Sequence, residues 1–131
     1  MVKPHFLSPL LREPEAPWTL VHMPSGQVLV DRLHTAFDSA SRREGLLTQK
    51  TWPRGSALII APCQAVHTVG MRFPIDIVFV DKAGTIVKLR RDVRPWRIAV
   101  AVTAFATIEL VAGSLNAGVG VGDTLSLSAT T

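Results

Sequence analysis

A single cysteine, Cys63, stands among 131 residues, so no disulfide forms within the chain and stability has to come from packing. That usage is compatible with a reducing compartment. The amino-terminal stretch MVKPHFLSPLLREPEAPW has only a short apolar patch, broken by Pro9 and followed by Arg12 and Glu13, which is not a secretory core. Nor is there an uninterrupted membrane-length run. The most apolar region, Ile98 to Gly122, carries Glu109 in its middle and is broken by Thr, Ser, Asn and glycines, all costly in hydrocarbon. A cytoplasmic protein without a membrane span is the expectation. Repeats are missing, and so is a second Cys or His pair at the spacing of a four-ligand zinc site. Neither metal nor cofactor is therefore expected.

With 47% hydrophobic side chains the chain is long enough to bury one core, and a single domain over residues 18–131 is expected. Residues 1–17 hold four of the nine prolines and no periodicity, which predicts a flexible arm. The net charge is +4 and the isoelectric point near 10, but the excess is modest and serves solubility as readily as phosphate binding. Its distribution says more. Basic residues gather at Arg42 and Arg43, and again as Lys88, Arg90, Arg91, Arg94 and Arg97 around Trp96. A solvated face explains the Arg90 to Arg97 cluster better than nonspecific nucleic-acid binding, which is kept as an alternative.

Along the chain, WTLVHMPSGQVLVDRL reads as two strands around a Pro-Ser-Gly turn. Ser41 to Glu44 has the spacing of a capping box, with Gly45 ending any helix at once. SALIIAP predicts a strand buried on both faces, and IDIVFV, TIVKLRR, FATIELV and TLSLS predict further strands. DKAG should join the second and third of these as a hairpin turn with a bulge. In TIVKLRR, Val87 and Leu89 are expected on one face, Lys88 and Arg90 on the other. AGSLNAGVGVGD suggests a short helix capped by Gly118. About seven short strands with one or two short helices indicate a mainly β (α+β) domain, most economically a small closed or partly open antiparallel barrel.

The candidate chemistry centres on HTVGMRFPID, His67 to Asp76. Cys63 and His67 could form a nucleophile and base, with Asp76 orienting the imidazole, although a buried cysteine beside a hydrogen-bonded histidine is the simpler account. Arg72 could pair with Asp76, or its guanidinium could hold a carboxylate or phosphate. Trp96 after Pro95 could lie over a barrel mouth near Arg94 or simply plug it. GVGVGD lacks the spacing of a phosphate loop, and a strand rather than a helix is expected to follow it.

EGLLTQ, APC, HTVGMRFPIDIVFVDKAGTIV, RPW, IELVAG and GVGVGD, taken in order over Thr35 to Leu127, resemble the domain-of-unknown-function family 192, also called uncharacterised protein family 0127. The chain is similar to the branch with Cys-x-x-x-His and Met-Arg-Phe-Pro. The resemblance implies a compact mainly β domain and brings no catalytic residues with it. It also implies, by analogy, partners in a pilus or secretion apparatus. The residues themselves favour a non-enzymatic binding or accessory module, in which His67, Arg72, Asp76, Arg94 and Trp96 form a rim for an acidic small molecule, protein or peptide. The alternative is a cysteine-dependent enzyme using Cys63 and His67.

Overall fold

The computed structural model describes residues 5–13 and 18–129. Within them the elements follow as α1 (Ser8–Arg12), β1 (Trp18–Met23), β2 (Gln27–Val30), β3 (Arg32–Ala36), α2 (Ser39–Glu44), β4 (Ser56–Ile60), β5 (Ala65–His67), β6 (Ile75–Val80), β7 (Ile86–Val93), β8 (Ile98–Val100), β9 (Ala106–Val111) and β10 (Thr124–Ala129). The most apolar runs, SALII, IDIVFV and ATIELV, become β4, β6 and β9, which are buried along almost their whole length. They form the middle of a five-stranded sheet ordered β3-β4-β9-β6-β7. Because side chains alternate, each middle strand feeds two cores. Ala57, Ile59, Val78, Val80 and Ile108 enter one cluster; Leu58, Ile60, Ile77 and Phe79 enter the other.

The first cluster is covered by the three-stranded sheet β10-β1-β2 and by α1, whose Leu10 joins Leu7 inside. The second is covered by the two-stranded ribbon β5-β8 through Val66 and Ala99, with Leu46 and Met71 beside them. Each large apolar side chain taken fully out of water in these layers is worth about 1.5–3 kcal/mol. The architecture is thus a mainly β stack of three layers with two short helices.

It is not the small closed or partly open antiparallel barrel expected above: the sheets do not close on one another. A barrel strand has one face inside and one outside, whereas β4, β6 and β9 have both faces covered. Moreover, β3 runs parallel to β4, and the edge strand β7 forms no ladder with β10: the start of β7 and the turn before it meet the start of β10 through the isolated bridge Thr85↔Thr124 and a few flanking backbone hydrogen bonds. The β1–β2 hairpin is present, but the chain then leaves its sheet, and β3 joins the other.

Other expectations also change. α2 begins two residues before Ser41, because Asp38 is its cap and accepts the Ser41 N–H at 2.8 Å. That bond also holds the Asp38 carboxyl below its ordinary value. AGSLNAGVGVGD forms turns rather than a helix: the Gly113 and Leu115 amides are drawn to the Asp76 carboxylate, and the Gly118 amide to the Asn116 side chain. In β7 the bulge falls at Val87, which sends Val87 to the second core while Ile86 and Leu89 serve the first, so Val87 and Leu89 do not share a face. Nor are residues 5–13 a free arm. Leu7 and Leu10 are each 1% exposed, and Phe6 N–H donates to the Lys82 carbonyl. The rest of the predicted arm, 1–4 and 14–17, lies outside the described residues.

Candidate functional site

A pocket of about 510 Å³ opens on the second-core side of the five-stranded sheet. One wall is the end of α2 with the turn that follows, bringing Arg42, Arg43, Glu44 and Leu46. The opposite wall is Pro62 to His67, with Met71 close by. The floor is Glu109 in β9, the central strand. Its neighbours in register are Leu58 on β4 and Ile77 on β6, so the carboxyl rises between two aliphatic side chains. Glu109 is only 4% exposed; among the described residues no side chain pairs with its charge, and its carboxylate oxygens keep their remaining contact with the pocket rather than being sealed off. Burial raises its pKa from 4.5 to about 7.

The local sequence explains why this acid can be reached. α2 stops at Gly45, whose φ of 50° suits glycine, and the Gly45 N–H donates to the Ser41 carbonyl at 2.9 Å. A Cβ at this position would sit 3.6 Å from Glu109 Oε1, so no side chain from position 45 roofs the carboxyl. The turn sends Leu46 into the core and leaves Arg42 and Arg43 at the mouth. Arg42 has one weak partner, the Ser39 hydroxyl at 3.4 Å.

The structure brings Cys63 and His67 to this pocket but not to each other. The Cys63 thiol donates to the Ala65 carbonyl at 3.2 Å, and the exposed His67 ring has no bond to Cys63. Asp76 cannot orient that ring. It is 1% exposed, and its carboxylate accepts three backbone amides, from Asp92, Gly113 and Leu115, at 2.9, 3.1 and 3.1 Å. Asp76 therefore ties together the ends of β7 and β9, away from any rim, and it makes no pair with the exposed Arg72. Arg94 and Trp96 gather instead around Thr68, whose hydroxyl donates to the Arg94 carbonyl and accepts the Arg97 N–H. None of Arg72, Arg94 and Trp96 lines the pocket.

Glu109 is the residue that sequence reasoning passed over, having counted it only as a charge against a membrane span. The available signal was alternation. With Ala106, Ile108 and Leu110 on one face of ATIELV, Glu109 had to occupy the other face of a strand too apolar to be at an edge.

A second set of polar groups has the order of a nucleophile, base and acid. His22 lies 2.7 Å from the Ser25 hydroxyl through Nδ1 and 2.7 Å from Asp123 Oδ2 through Nε2. Ser25 Oγ, however, is held within its own turn, accepting the Gln27 amide, while Asp123 also accepts the Gly120 amide. The hydrogen bond from His22, then that from Gly120, keeps the Asp123 carboxyl below its ordinary value. These contacts staple the β1–β2 turn to the glycine-rich loop, and the pocket over Glu109 does not reach them.

Fold and site together define a small, layered β domain with a buried acid beneath a pocket edged by arginines. The match to a family model over residues 21–127 places it further: the chain belongs to DUF192, described as uncharacterized ACR, COG1430. Among solved structures it is similar to a protein of unknown function from Novosphingobium aromaticivorans, at 21% identity and a TM-score of 0.71, covering 84% of this chain and 83% of that one. It is equally similar to a putative transcription regulator from Sinorhizobium meliloti, at 21% identity and a TM-score of 0.72, covering 85% and 94%. A hypothetical protein from Synechocystis aligns at 14% identity and a TM-score of 0.52, over 85% of this chain but 18% of its own. These likenesses concern the fold. No curated protein matches. No helix among the described residues is long and apolar enough to cross a membrane.

Proposed function

We propose that the domain is a binding module for a small amphoteric ligand held over Glu109. An amine at its inner end meets the carboxyl, an apolar stem lies against Leu46, Ile60 and Met71, and a carboxylate or phosphate at its outer end reaches Arg42 and Arg43. The observation that supports this reading is the unpaired, almost fully buried Glu109 facing a pocket. An isolated buried carboxylate is unfavourable by several kcal/mol, and a ligand cation relieves that penalty. The outer guanidinium groups suit a planar or tetrahedral anion. This keeps the acidic ligand expected from the sequence and His67 as a wall residue, while moving the recognition from Arg72 and Asp76 to Arg42, Arg43 and Glu109.

The enzyme reading has less behind it, because Cys63 donates to a carbonyl and has no hydrogen bond to a base. Nucleic-acid binding through Arg90 to Arg97 is also weakly supported. Arg91 donates to the Asn116 and Val119 carbonyls and Lys88 to the Val100 carbonyl, so the cluster is not one free basic face.

The test is a thermal-shift series of ω-amino carboxylates of increasing length against the same carboxylates without the amine. Amine-bearing members should raise Tm by a few degrees at millimolar concentration, and Glu109→Gln should abolish their advantage. An unshifted series, or an advantage that survives in E109Q, would overturn the reading.

A further inference from the structure

The outward side of the β5-β8 ribbon is apolar where solvent should favour polar residues. Val66 and Ala99 face the core as paired neighbours, so the flanking pairs, Ala65 with Val100 and His67 with Ile98, face away from it. Ile98 is 70% exposed, and Val102, just past the strand, is 76% exposed. Trp96, just before it, is 68% exposed and adopts a φ of 69°, a left-handed conformation that a bulky residue takes only under constraint. Thr68 supplies that constraint: its carbonyl accepts the Trp96 amide at 3.1 Å, and its hydroxyl fixes Arg94 and Arg97 on either side. The fold thus holds an indole out of the core.

The two chain segments that build this ribbon and its flanks carry charge of one sign. From Ala61 to Pro74, and again from Val93 to Thr107, the chain has no Asp or Glu, while Arg72, Arg94 and Arg97 are all exposed. We infer that the ribbon is a docking face for an anionic lipid surface, with Trp96, Ile98, Val100 and Val102 entering the headgroup region and the arginines meeting lipid phosphates. A second copy of the same face would bring like charges together. A peptide adding as a strand would find edge carbonyls already engaged, Val100 by the Lys88 ammonium at 2.7 Å and Ala65 by the Cys63 thiol. Neither objection applies to a bilayer, which needs only projecting apolar side chains and cations. This inference is independent of the ligand assigned to the Glu109 pocket.

Co-sedimentation of the full chain with vesicles tests it. The protein should pellet with equal parts phosphatidylcholine and phosphatidylglycerol, but not with phosphatidylcholine alone. The double variant Ile98→Ser, Val102→Ser should bind about tenfold less well or worse, and Arg94→Gln roughly fivefold less well, with melting temperatures close to the parent. Failure to pellet with the anionic vesicles would overturn the proposal and leave the face to a protein partner. Equal binding by the Ser variant would also overturn it, because attraction would then be electrostatic only.

Discussion

Two carboxylates are buried in the five-stranded sheet, and only one of them has partners. Asp76 is enclosed by three amides and acts as a structural tie, whereas Glu109 has no ion-pair partner among the described residues and meets only the pocket. The difference has a sign in pH. Glu109 titrates near 4.5 when unfolded and near 7 when folded, so below about pH 4.5 it is protonated in both states and costs nothing. As pH rises from there through 7, folding has to suppress its ionisation, and the penalty is full above 7 at about 3 kcal/mol. Glu109→Gln should therefore be more stable than the parent at pH 8, by up to that amount, with little difference at pH 4.5, as read from urea midpoints at the two pH values. A mutation that stabilises the fold while weakening the ligand response marks a residue retained for something other than stability. From sequence, Asp76 and Glu109 look alike as single acids in apolar strands. The loop at 113–115 and the Asp92 amide of β7, which close on one and not the other, separate them.

At the scale of elements, the β6–β7 hairpin shows what local sequence does and does not determine. Asp81 accepts the Ala83 and Thr85 amides, and Gly84 closes the turn at a φ of 86°, as DKAG suggested. A Cβ at Gly84 would also run into the Leu125 carbonyl oxygen of β10. Gly84→Ala should consequently destabilise by about 2–4 kcal/mol, combining left-handed strain with overpacking, and thermal unfolding should show it. The turn was legible because Asp, Ala and Gly act on their own neighbours. The reversal of Val87 was not, because it depends on the register against Phe79 and Val80. The same limit applies to α2, where Asp38 rather than Ser41 won the cap, and to β3, whose parallel pairing with β4 is a property of two distant segments. Strands such as SALII and IDIVFV were plain from apolar runs alone.

For the whole molecule, the stack of three layers depends on its amino-terminal residues. Leu10 is 1% exposed within the first core, so Leu10→Ala should cost about 3 kcal/mol and lower the urea midpoint without changing the slope of the transition. Prolines made this stretch look detached, yet Pro9 falls in the first turn of α1, where its missing N–H does no harm. The barrel expectation failed for a related reason: strands buried on both faces were visible, but which sheets would cover them was not.

The order of the central sheet carries one more consequence. β9, at Ala106–Val111, lies between β4 and β6, which precede it in the chain, and β10 pairs with β1 from the opposite end of the sequence. During synthesis β4 and β6 both leave the ribosome before the strand that joins them exists, so two sticky edges wait, and the nascent chain is most exposed to mispairing until β9 has followed them.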